Sequence, residues 1–163
     1  MPCEPASGAV ISGVPYFPSK RTNYCSEAAV QMLLAHYGRG MDQDAIHRIG
    51  WKLPQQLGIL RGHFPQVTVG KANPTKIKEW VDRGIPVPLM LDYSGQEHKV
   101  LAVGYDNGDR TIIVHDPDAG PYVRVPLIDL MNAHGAVFVE PPAKGLAGMW
   151  TPFKILKAFV GGK

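Results

Sequence analysis

PYFPSKRTNYCSEAAVQMLLAHYG, residues 15–38, divides into two halves that meet at Cys25. The first half is rich in turn-forming and polar residues and reads as a loop. In the second, Ala28, Ala29, Met32, Leu33 and Tyr37 recur at spacings of three and four, which predicts a helix over Ser26–Tyr37 ended by Gly38. Asn23 reads as its N-cap, with Ser26 and Glu27 suited to the first turn. Cys25 then falls at or just before the helix N-terminus. Unpaired N–H groups and the helix dipole favour an anion there, and so a thiolate. A lone cysteine is more often inert packing, so the rest of the chain has to decide between nucleophile and core.

A chain of 163 residues, 45% hydrophobic and 19% charged, is expected to form one globular domain with a real core. The net charge of +3 is spread over scattered basic residues, and nothing resembles a nucleic-acid-binding face. Fifteen prolines and eighteen glycines argue for many turns and short elements rather than a helix bundle. The two cysteines, Cys3 and Cys25, make no disulfide framework, and neither a C-x-x-C nor an H-x-x-x-H pair points to a metal. No signal peptide or membrane-spanning run is visible, so with Met1 as the native start a cytoplasmic location is expected.

Outward from Cys25, Ala9–Phe17 reads as a short strand broken by Gly13 and Pro15. Asp42 caps a second helix ended by Gly50, residues 51–73 are partly helical with an extended piece near Gln66–Val69, and Thr75 caps a helix stopped by Gly84. The pattern then turns to strands. Ile85–Tyr93 carries Pro86 and Pro88, which place it at a sheet edge or a strand start. His98–Tyr105 and Thr111–His115 flank Asp106-Asn107-Gly108-Asp109, a hairpin turn. Tyr122–Val125, a short helix over Pro126–Asn132 and a strand Ala136–Val139 complete residues 1–140. Helices first and an antiparallel meander second make an α+β domain: an N-terminal helical part carrying the cysteine, packed on a C-terminal antiparallel sheet. Residues 141–163 read as a linker and an amphipathic helix that packs on the domain, on a second copy or on a partner.

A thiolate nucleophile needs a base and a group to orient that base. His98 opens one strand of the hairpin and Asp116 ends the other. A turn at Asn107-Gly108 brings them to the same end within a residue or two, close enough for an imidazole and a carboxylate to meet. His115 is the competing base, but it should face the other side of the sheet because strand side chains alternate.

These blocks carry a resemblance. VPYFPSKRTNYCSEAAVQMLLAHYG, IPVPLMLDYSGQEHKVLAVGYD and IIVHDPDAG, with Cys, His and Asp in that order, resemble a papain-like cysteine peptidase of the bacteriocin-processing (double-glycine leader) family and its stand-alone relatives. The resemblance implies the papain-like fold, Cys25 as nucleophile, His98 as general base and acid, Asp116 as orienting carboxylate, a peptide or protein substrate cut after small residues, and no cofactor. The family usually carries a glutamine six residues before the cysteine as the side-chain half of the oxyanion hole. Here that position is Ser19, followed by Lys20, and either could serve. Two rivals stay open: acyl transfer or transamidation on the same triad, and a catalytically weak peptide-binding module.

Overall fold

The structure is a computed structural model that describes residues 8–142. The helix expected beyond residue 141 lies outside them. Five elements form the first part: β1 (Gly8–Val10), α1 (Cys25–His36), α2 (Gln43–Ile49), α3 (Leu53–Arg61) and β2 (Gln66–Gly70). After α4 (Pro74–Asp82) come β3 (Val87–Tyr93), β4 (Gln96–Asp106), β5 (Thr111–Asp116) and β6 (Gly120–Pro126), then a 3-10 turn (Leu127–Asn132) and β7 (Gly135–Glu140). Among the described residues no helix is long and apolar enough to cross a membrane.

Two caps differ from expectation. Asn23 is not the cap of α1: it takes a left-handed φ of 68°, and Tyr24 caps the helix with no side-chain hydrogen bond. Asn tolerates that backbone region better than most residues, so here it turns the chain instead of capping. In α4 the cap is Asn73, whose side chain accepts from the N–H groups of Thr75 (2.9 Å) and Lys76 (3.3 Å). Pro74 takes the first helical position and Thr75 falls inside. Asp42 caps α2 as read, accepting from Ala45 N–H at 2.8 Å.

The seven strands make one sheet in the order β2-β7-β3-β4-β5-β6, with β1 added along β4. β3 is therefore an inner strand, not an edge, and its prolines mark the strand start instead, Pro86 just before it and Pro88 second in it. Its prolines are accommodated because pairing with β7 involves only Leu89 and Met90, whereas pairing with β4 runs from Val87 to Tyr93. A proline with no N–H is tolerated where the ladder on one side has not yet begun. β1 pairs with the far end of β4, at Gly104–Asp106. A Cβ at Gly104 would lie 2.7 Å from Ala9 O, so this approach of two backbones requires glycine.

α1 lies on the sheet with Met32, Leu33 and Leu34 wholly buried among Val100, Leu101, Ile112 and Phe138. Each such side chain contributes roughly 1.5–3 kcal/mol by leaving water. That contact decides where the N-terminus of α1, and Cys25 with it, sits relative to β4.

Candidate active site

Three elements converge. Cys25 is the first residue of α1, His98 lies near the start of β4 and Asp116 ends β5. The β4–β5 ladder pairs Leu101 with His115. Carried on, this register sets His98 against position 118, one diagonal step from Asp116, and diagonal neighbours are within reach of long side chains. The His98 Nε2–H donates to Oδ1 of Asp116 at 2.7 Å. Nδ1 is left free of that bond, and Cys25 at the start of α1 is among the groups that raise the ring's basicity. The Asp118 carboxylate lies 3.7 Å from that same nitrogen.

Burial by itself would pull the imidazole of His98 down, but the hydrogen bonds and charges of Asp116 and Cys25 overcome it and hold its pKa at about 10. Burial pushes Asp116 up. The bond from His98 and the N–H groups of Asp118 (2.9 Å) and Ala119 (3.2 Å) reverse that and leave it below the ordinary carboxylate value. At neutral pH the arrangement is an imidazolium between a carboxylate and a sulfur. Such a charge stabilises a thiolate. Tyr93 stacks on the ring, with centroids 5.1 Å apart and planes 29° apart, and shields it on one face. As the last residue of a strand, Tyr93 carried no signal of this role in the sequence.

The loop before Cys25 is strapped to the end of β5. Tyr16 Oη donates to Asp116 O at 2.9 Å, Ser19 N–H donates to Pro117 O at 2.9 Å, and His115 Nε2–H donates to Val14 O at 3.1 Å. Tyr122 N–H donates to Nδ1 of His115 at 3.3 Å, so both nitrogens of that buried ring are spent on the fold. His115 is a structural residue facing away from the site.

Ser19 and Lys20 are placed differently. The hydroxyl of Ser19 is buried and bonds to nothing. The ammonium of Lys20 is held by Asp44, which Arg21 also contacts at 3.3 Å. Gln43 grips the loop from behind, accepting from Lys20 N–H at 2.8 Å and donating to Pro18 O at 2.9 Å. Among the described residues one mixed donor set could ligate a cation: His98, Asp116 and Asp118 bring an imidazole nitrogen and two carboxylate oxygens within 4.8 Å of one another. A narrow apolar crevice of about 20 Å³ lies beside the site, between α1, α3 and β3–β4, with Ser26 and Lys99 among its walls.

Comparison with known proteins agrees with this fold. The family model described as Peptidase_C39 like matches residues 11–132. A C39-like peptidase structure from Bacillus anthracis superposes with a TM-score of 0.70 at 14% identity, covering 85% of this chain and 100% of that one. The peptidase domain of Streptococcus ComA, a bifunctional ABC transporter involved in quorum sensing, gives 0.66 at 18% identity over 80% and 100%. A double glycine motif protease of an AMS/PCAT transporter, solved with its leader peptide, gives 0.62 at 18% over 82% and 95%. No curated protein matches the sequence. The fold is thus the papain-like one of these peptidases, and the chain belongs to the C39-like peptidase family.

Proposed function

We propose that this protein is a cysteine peptidase that cleaves a peptide or protein after small residues, with Cys25, His98 and Asp116 as its triad. The observation that carries the reading is the 2.7 Å bond between Nε2 of His98 and Asp116, on a ring whose basicity Cys25 also raises. Asp116 fixes the ring. His98 holds the sulfur as thiolate, which attacks the scissile carbonyl. A C–S bond forms and the carbonyl oxygen becomes an oxyanion. When it collapses, the C–N bond breaks and His98 gives its proton to the leaving amine. Water, deprotonated by His98, then cleaves the acyl-enzyme.

The free N–H of Cys25 at the uncapped start of α1 is one oxyanion donor. Of the two side-chain candidates, Lys20 would have to give up Asp44 to reach the oxyanion, whereas Ser19 has no partner to give up. Small residues before the scissile bond follow from likeness to the double glycine motif protease. Transamidation uses the same triad and differs only in the acceptor.

The test is alkylation by iodoacetamide in a Cys3→Ser background, so that a single thiol is counted. The wild type should react fast at about pH 6, well below the ordinary thiol range near ~8.5, and His98→Ala should lose that reactivity. An ordinary thiol profile in both would sink the reading.

A further inference from the structure

We propose that His47 and Glu27 are positioning residues for Cys25, gripping the first turn of α1 on both sides of the reacting sulfur. The inference rests on Cys25 being the nucleophile. Glu27 is fully buried two residues after Cys25. Its Oε1 accepts from Nδ1–H of His47 on α2 at 2.7 Å. Its Oε2 accepts from Oγ–H of Ser26 at 2.8 Å, and that hydroxyl accepts from Nε2 of Gln56 on α3 at 2.8 Å. On the other flank, the ring of His47 stacks on Tyr24, with centroids 4.6 Å apart and planes 22° apart. A single imidazole therefore engages the residue just before the nucleophile and a residue just after it.

Two features make this more than packing. Tyr24 offers α1 no side-chain cap, so the turn that presents both the thiol and the free N–H groups is not held by its own cap residue. The hold comes from α2 and α3. Second, Glu27 and Asp116 are the only carboxylates among the buried described residues, and each accepts from an imidazole at 2.7 Å. Asp116 has an evident task in orienting His98. A buried carboxylate is costly to desolvate, and well-packed apolar residues of similar size usually serve stability as well or better. What the polar network supplies and apolar packing does not is direction: four hydrogen-bonded or stacked groups fix the azimuth of the turn, and with it the line from sulfur to His98. A displacement of about 1 Å at a reacting atom can cost on the order of a hundredfold in rate.

The deciding variant is Glu27→Leu/His47→Leu in the full chain, again with Cys3→Ser. It removes the bond and the stack together and leaves no unpaired charge buried. Three quantities are measured: the melting temperature, the pH profile of alkylation by iodoacetamide, and kcat and KM on a Gly-Gly aminocoumarin amide. The expected result is a melting temperature at or above that of the wild type, alkylation at about pH 6 slowed roughly ten- to a hundredfold, and kcat lowered with KM unchanged. Glu27→Gln with His47 intact, whose oxygen accepts from Ser26 and whose NH2 donates to Nδ1 of the other His47 tautomer, should keep both rates near wild type.

A stable double variant with wild-type alkylation and kcat makes the network mere packing and overturns the proposal. Should the double variant not melt cooperatively, Tyr24→Leu, which removes only the stacked ring, is read by the same two rates. His98→Ala separates the two failures: if it abolishes low-pH reactivity while the double variant does not, the triad stands and this inference alone falls.

Discussion

Replacing Asp116 with Asn removes one charge and leaves the shape of the site. In the wild type the imidazole of His98 rises from 6.5 to about 10 despite its burial. That rise corresponds to roughly 5 kcal/mol in favour of the imidazolium. Asp116 contributes the leading share, through a 2.7 Å bond in a place where only 12% of the His98 side chain is exposed. Its loss should remove on the order of 1–3 kcal/mol of this, so the ratio of ion pair to neutral pair at Cys25–His98 falls roughly ten- to a hundredfold. Alkylation at about pH 6 should fall by the same factor, and His98 should titrate clearly below its wild-type value by proton NMR. Peptide turnover should fall at least as far, since mis-orienting the histidine of a serine triad costs on the order of ten-thousandfold. Melting curves add a second check. His98, raised in the fold, stabilises fully below 6.5 and stops doing so as pH rises through about 10. Asp116, lowered in the fold, stabilises above 3.8 and stops doing so as pH falls through its lower native value. The gap in melting temperature between wild type and variant should thus be widest between about 4 and 6.5 and close near 10. A variant that alkylates like the wild type at pH ~6, with His98 still titrating near ~10, would refute the ion-pair argument.

Ser19→Gln gives the loop a longer donor at the position where the resemblance expects one, and should raise kcat on the Gly-Gly amide roughly tenfold or more with little effect on KM. An unchanged or lower kcat would show that position 19 does not face the oxyanion. His115→Phe leaves Val14 O and Tyr122 N–H without partners and should cost about 2–4 kcal/mol in urea unfolding. The low-pH alkylation of Cys25 should persist, and its loss would make His115 the base instead.

Much of this was readable because it is local. The Asn107-Gly108 turn sets the β4–β5 register closely enough to bring His98 and Asp116 to one end without any knowledge of the fold. The run from Cys25 to Gly38 declares its helix by spacing alone. What escaped is non-local. The prolines of β3 allowed an edge or a strand start, and sequence could not choose the second because it does not reveal that β7 joins the strand only beyond Pro88. Asn23 read as a cap because its backbone angle depends on how the loop meets Pro117 and Asp44. His47 and Glu27 lie on separate helices at no diagnostic spacing. Ser19 and Lys20 were named from a position relative to Cys25, and the partners that engage Lys20 come from α2.

The placement of β7 between β2 and β3 bears on how the molecule is made. Residues 66–70 of the earlier half reach the sheet only through residues 135–140, which leave the ribosome last among the described strands. A nascent chain can close its β3–β6 meander early, yet the helical half gains its edge partner only when the final strand slots in. Contacts so distant in sequence form slowly. The helical half is therefore joined to the sheet edge late, after the β3–β6 meander is already in place.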